Sequence, residues 1–300
     1  MGMKQILVMM AAVVLVGCSK DTPETSRTAE AEAQVASKPT PVSPVDEKLI
    51  TDPIVEEKVR KSLKKPEGEL TAGDLEKVTR LFLYNTQITD VGLKRVAKMQ
   101  KLKYLNLDNT QITDAGLKDV AKLQKLDGLS LNSTQITDEG LKEVAKMQQL
   151  KTLWLTDTKI TDAGLKEVAK LQNLGTLNLW ETQITDPGLK DVAKMQQLKT
   201  LWLNDTQITD AGLKYVAKLK KLGLLYLENT KITDAGLKEV AKLQKLEGLN
   251  LRETQITDES LKDLAKLQKL ELLALEGTKV TKAGVAELKK ALPNCTIFGP

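Results

Sequence analysis

Threonine recurs at positions 86, 110, 134, 158, 182, 206, 230, 254 and 278, always at a step of 24 residues. Around each one the chain repeats itself, as in Leu102-x-x-Leu105-x-Leu107-x-x-Thr110-x-Ile112-Thr113-Asp114-x-Gly116-Leu117-x-x-Val120-Ala121-x-Leu123. A fixed period of this length marks a solenoid, whose units bury their apolar faces only against one another. Positions that vary between units then stand in ordered rows, so function narrows to a surface.

Each unit divides into a short strand, a turn and a helix. Leu105 and Leu107 alternate at period two and face the core, which turns residues 104, 106 and 108 outward. Thr113-Asp114 reads as a helix N-cap, and Gly116, Leu117, Val120, Ala121 and Leu123 follow at helical spacing. Pro187 falls in a first helical turn, where its missing N–H is harmless. Parallel strands stack at about 4.8 Å and helices at about 10 Å, so the array bends with strands on the concave side.

These residues resemble leucine-rich repeats, in the short variant related to the cysteine-containing and F-box-type class. The resemblance covers nine consecutive units and implies an α/β fold, a right-handed horseshoe with parallel strands inside and helices outside. The residue at the end of the strand motif, Asn or Cys in that family, is Thr in all nine units, and its hydroxyl can bond backbone in the turn. Nothing in the sequence resembles an F-box, so no role in ubiquitin-ligase recruitment is carried over.

The N-terminus has a different character. Lys4 precedes an apolar run from Ile6 to Val16, too short for a helix that must span a bilayer with about 20 residues. The run ends in Leu15-Val16-Gly17-Cys18, which resembles a bacterial lipobox. That resemblance implies a signal peptide over 1–17 and a lipid on the Cys18 thiol. Ser19 after it leans toward an outer membrane where the cell has one, with the solenoid facing periplasm or exterior. Residues 18–48 are rich in Pro, Thr, Ser, Ala and Glu without apolar period, and read as a flexible tether with a reach of roughly 30 Å.

Residues 49–78 read as an N-terminal cap, with an amphipathic helix from Asp52 to Leu63 and a degenerate unit from Leu70 to Val78. The nine repeats occupy 79–292. Pro293 stops the last helix, and 293–300 supply a closing strand, Cys295 to Phe298, in which Cys295 is a small buried residue.

The chain has no histidine, which removes the commonest general base and metal ligand. No phosphate loop, Ser/His/Asp set or paired carboxylate motif is present, so neither an enzyme nor a cofactor or metal is expected. Lys columns at 94 through 262 and 98 through 266 alternate with acids three residues before the second column, as weak helix-surface pairs. With 45 basic and 40 acidic residues interleaved, this convex face reads as solvated and not as a nucleic-acid site. The Asp column at 90, 114, 138, 162, 186, 210, 234 and 258 reads as charge at helix starts.

The functional signal lies in the outward strand positions. The middle row runs Phe82, Asn106, Ser130, Trp154, Asn178, Trp202, Tyr226, Asn250 and Ala274, and two residues later come Tyr84, Asp108, Asn132, Thr156, Trp180, Asn204, Glu228, Arg252 and Glu276. With Tyr104, these rows take every aromatic of the chain except Tyr215 and Phe298. Trp and Tyr combine apolar area with a polar edge and are enriched at recognition surfaces. We therefore expect a monomeric scaffold that binds a protein or peptide on its concave face. A glycan or cell-wall polymer stacking on the rings is the alternative, and a structural envelope component without ligand a third. The expected hot spot is a triangle of Trp154, Trp180 and Trp202 with Thr176 and Asn178 between them, Tyr226 at one edge and Asn204 beside it. Phe82, Tyr84 and Tyr104 make a second patch.

Overall fold

A computed structural model describes residues 49–299. The signal segment, Cys18 and the tether lie outside these residues. Ten strands form one parallel sheet in strict sequence order, β1 (Arg80–Phe82), β2 (Tyr104–Asn106), β3 (Gly128–Ser130), β4 (Thr152–Trp154), β5 (Thr176–Asn178), β6 (Thr200–Trp202), β7 (Leu224–Tyr226), β8 (Gly248–Asn250), β9 (Leu272–Ala274) and β10 (Thr296–Phe298). Register advances by one repeat per strand, with Leu105 beside Leu129 and Leu153 beside Leu177. Identical residues therefore stack on identical residues. The sequence period becomes a row of columns.

Seven-residue helices alternate with the inner strands, from Asp90–Val96 to Asp234–Val240. They stop at the Val, with the following Ala as C-cap, one turn shorter than the apolar spacing through Leu123 suggests. Leu, Ile and Val columns from strand, turn and helix fill the space between the layers at 0–1% exposure in the central repeats. Each buried Leu contributes on the order of 2 kcal/mol of transfer free energy, repeated along the array. No aromatic volume is needed.

The Thr column is a ladder, as its position at the strand end implies. In all nine units the hydroxyl donates to the carbonyl of the Leu three residues earlier, at 2.5–2.7 Å. The residue just before each Thr takes a left-handed conformation with φ of 50–55° from Asn85 to Glu253, and Gly277 completes the set at 73°. Asn and Asp tolerate that region well. Glu181 and Glu253 fit it less readily.

The Asp column opens the helices after a Thr N-cap in extended backbone, as expected. Its carboxylate also reaches into the next repeat. Asp138 accepts from the Thr161 backbone N–H at 2.9 Å and from its hydroxyl at 2.6 Å. The same clasp recurs from Asp90–Thr113 to Asp258–Thr281. It explains the glycine column: a Cβ on Gly164 would lie inside van der Waals contact with Asp138 Oδ1 and 2.7 Å from Leu141 Cδ1. Ser260 stands where the other units have Gly, and its helix opens as a 3-10 turn over Asp258–Ser260. Burial works to raise the Asp234 carboxyl there, but hydrogen bonds from Thr257 and Ser260 outweigh it and hold the group below its ordinary value.

Both ends of the array are covered. The helix Pro53–Leu63 is capped by Asp52 Oδ1, which accepts from the Ile54 and Val55 N–H groups, and it buries Val55 and Val59. The Ser62 hydroxyl donates to the Arg80 carbonyl on the first strand at 3.2 Å. The degenerate unit holds only a four-residue helix, Ala72–Leu75. At the far end Lys282–Ala291 is the last helix, and β10 closes the sheet against β9 with Cys295 buried beneath it. Burial pushes the Cys295 thiol up to about 11, away from reactive thiolate character.

Candidate binding face

The outward face of the sheet presents rows set by the register. Trp154, Asn178, Trp202 and Tyr226 are direct neighbours across β4 to β7. Strand spacing of about 4.8 Å is close to the separation of stacked rings, so aromatics on adjacent strands stack across the sheet. Trp202 and Tyr226 do so, with centroids 4.9 Å apart and an interplanar angle of 7°. Trp154 leans over from two strands away to 5.2 Å from Trp202, tilted by 33°. Their backbones are about 10 Å apart, so the rings close over the residue between them.

That residue is Asn178, 3% exposed. Its side-chain oxygen accepts from the Trp180 backbone N–H at 2.8 Å. Asn204, 7% exposed, accepts from the Glu228 N–H at 3.1 Å. Asn132, Asn106 and Asn250 make equivalent bonds to backbone N–H groups at the ends of strands. Asn178 and Asn204, expected on the binding face, are largely buried there, with their side-chain oxygens engaged by backbone N–H groups. Thr176 stays half-buried on the face.

Trp154, Trp202 and Tyr226 make a row of three rings, closer together than their strand spacing implies. Trp180 comes from the intervening repeat on the next row, its indole N–H donating to Asp205 Oδ2 at 2.6 Å. Tyr226 extends the row at one end and is covered there at 7% exposure, where burial pushes its hydroxyl up to about 12. Trp154, Trp180 and Trp202 remain half-buried.

The N-terminal patch does assemble. Phe82 lies 5.6 Å from Tyr104 and 6.5 Å, edge-on, from Tyr84, and the Arg80 guanidinium sits over both Phe82 and Tyr104. Tyr104 fills the space over Gly128 on the next strand, where a Cβ would come within 2.6 Å of Tyr104 Cδ2. Burial, followed by the charge of Asp108, raises the Tyr104 hydroxyl. Phe82 and Tyr84 are 43% and 51% exposed, the most open aromatics on the face. Phe298 registers with Ala274 and so joins the middle row on the closing strand, contrary to its expected place off the face. Tyr215 alone lies on a helix, between Lys214 and Lys218.

The helix side carries the expected ion pairs, Lys122–Asp119, Lys146–Glu143, Lys170–Glu167, Lys194–Asp191, Lys242–Glu239 and Lys266–Asp263, at 2.5–2.7 Å. Such exposed pairs contribute little individually. On the sheet side Arg252 grips Glu276 with two bonds of 2.8 and 2.7 Å, which lowers the Glu276 carboxyl. Among the described residues no helix is long and apolar enough to cross a membrane.

Family descriptions match along the array: leucine-rich repeats (two copies) over 76–119, and a leucine-rich repeat over each of 122–145, 146–169, 194–217 and 242–265. No curated protein matches the chain. Among solved structures the chain is similar to an internalin (inlF) from Listeria monocytogenes, at 20% identity over 83% of this chain and 95% of that one, with a TM-score of 0.41. It is also similar to an internalin C2 (inlC2) from the same organism, at 25% identity over 83% and 94%, with a TM-score of 0.48. Ten parallel strands in sequence order, alternating helices and the matched repeats give the chain the α/β solenoid fold of leucine-rich repeats.

Proposed function

We propose that this chain is a non-enzymatic scaffold that binds a protein or peptide on the sheet face, through the ring row and Trp180. Leucine-rich repeat proteins generally mediate protein–protein interactions, and solenoids use their extended inner surfaces for binding. The observation that carries the reading is the separation of duties. Core columns repeat nearly unchanged, while Trp154, Trp180 and Trp202 stand on the outward rows. The ring geometry favours polypeptide over glycan. A sugar stacks on an open aromatic face, but Trp202 and Tyr226 turn their faces against each other and Trp154 leans on Trp202. Ring edges are electropositive and suit carbonyl oxygens and other rings.

The test is affinity capture from solubilised envelope beside a glycan array, each with wild type and the Trp202→Ala variant. A partner lost in the variant, with no sugar bound, is the expected result. Saturable sugar binding that the variant abolishes would replace the reading with the glycan alternative.

From the sequence around Cys18 we further propose a lipid-anchored protein of the bacterial envelope, held off the membrane by residues 18–48. Lipoprotein acyl chains acting together suffice for stable anchoring. Cys18→Ser should release the protein from the membrane fraction or leave the precursor unprocessed. Unchanged processing and attachment would refute the anchor.

A further inference from the structure

The left-handed turn column runs along the sheet face at the C-terminal ends of the strands. In three successive repeats it carries Asp157, Glu181 and Asp205, flanking the Trp180 row. On the helix side Glu143 and its equivalents pair with Lys, and on the sheet side Glu276 pairs with Arg252. Among the described residues none of these three forms an ion pair. Asp205 receives only neutral donors, the Trp180 indole and the Asn229 amide at 2.6 Å each. Partial burial, then the charges of Asp157 and Asp205, raise the Glu181 carboxyl, as expected for negative charge without a counter-ion.

A shallow cleft of about 510 Å³ follows this turn edge, and Lys159, which also lines it, pairs with none of the three. Among the described residues no acid cluster converges tightly enough to hold a metal ion. The row suits a cation carried on a long stem that can lie along several repeats. Beside it, the ring row offers apolar surface. At the opposite rim Gly175 and Gly223 carry no side chains to obstruct a chain crossing the face.

We propose that the partner is a polypeptide segment that lays apolar side chains over the Trp154–Trp202–Tyr226 row and seats a lysine or arginine against the Asp157–Glu181–Asp205 rim, a refinement that rests on the sheet-face reading above. A guanidinium or ammonium there regains in three carboxylates what it loses in hydration, and its stem packs on Trp180. Placed at the rim, such a charge sets orientation and association rate more than total affinity.

The experiment uses a phage-displayed random dodecapeptide library against residues 49–300 tethered as in the full chain. Panning is run on wild type, on Trp154→Ala/Trp202→Ala, and on Asp157→Asn/Glu181→Gln/Asp205→Asn. Asn tolerates the left-handed turn and Gln keeps the shape of Glu181, and melting temperatures no lower than wild type verify the fold. The expected result is a Trp-dependent peptide set enriched in Lys or Arg at one position. Its synthetic members should bind the amide variant at least tenfold more weakly and lose affinity with added salt. Trp-dependent peptides without a basic preference, or indifferent to the amide variant, overturn the cationic-segment proposal and leave the sheet-face reading standing. Peptides that bind regardless of the tryptophans overturn the sheet-face reading, and this proposal with it.

Discussion

At the scale of single residues the repeat is held by a bond that spans two units. Asp138 clasps Thr161, and Gly164 leaves room for it. The Thr ladder and the Lys–acid pairs were legible in the sequence because both partners lie within four residues of each other. The clasp was not, because its partners stand 23 residues apart and each Asp also fits a helix start. A double-mutant cycle separates the two roles. Gly164→Ala alone should destabilise by about 1–3 kcal/mol through overpacking, and in an Asp138→Ala background part of that cost should vanish, since the clashing oxygen is gone. Additive effects would mean that the glycine serves something else. A second residue-scale prediction concerns Glu181, whose carboxyl is raised by burial and by Asp157 and Asp205. A raised acid costs stability when ionised in the fold, so the penalty is present above its folded value and disappears as pH falls below the ordinary carboxylate range. Glu181→Gln should therefore raise the melting temperature at neutral pH and leave it unchanged near pH 3. A variant less stable at neutral pH would contradict that sign.

At the scale of the element, alternation along a strand predicts which side chains face in and which face out, and it holds for Leu179 and Trp180. What alternation omits is how neighbouring strands cover one another. Asn178 faces outward by period, yet the leaning rings of Trp154 and Trp202 bury it, and Tyr226 is covered by its own stack. Ring packing across strands depends on rotamers, which one strand read alone does not fix. Phe298 shows the same limit from another side: its place on the face follows from the pairing of β10 with β9, which lies beyond the last repeat. The two faces of one strand should respond differently to truncation. Leu179→Ala, at 0% exposure, should cost roughly 2–5 kcal/mol of stability. Trp180→Ala should leave the fold nearly intact and cost about 2 kcal/mol or more of partner binding. Thermal melts and binding isotherms on the pair check both, and a Trp180→Ala protein that unfolds early but binds normally would reverse the assignment.

At the scale of the whole molecule the period specified the architecture almost completely, because a solenoid is a one-dimensional stack in which each contact is a copy of the last. The ends were legible too, since a helix before the first repeat and a strand after the last interrupt the period where the core would otherwise be open. Less legible was how charge divides between the two sides. The helix side pairs the acids at 119, 143 and 167 with lysines, while the strand-end rim keeps Asp157, Glu181 and Asp205 without ion pairs. A molecule so divided should interact through one side. The most direct measurement places a photo-crosslinking phenylalanine analogue at position 180 on the sheet side, or at position 118 on the helix side, in cells that make the protein, and compares adducts after irradiation. A discrete adduct from position 180 and none from position 118 is the predicted result. Adducts from position 118 with none from position 180 would contradict the account.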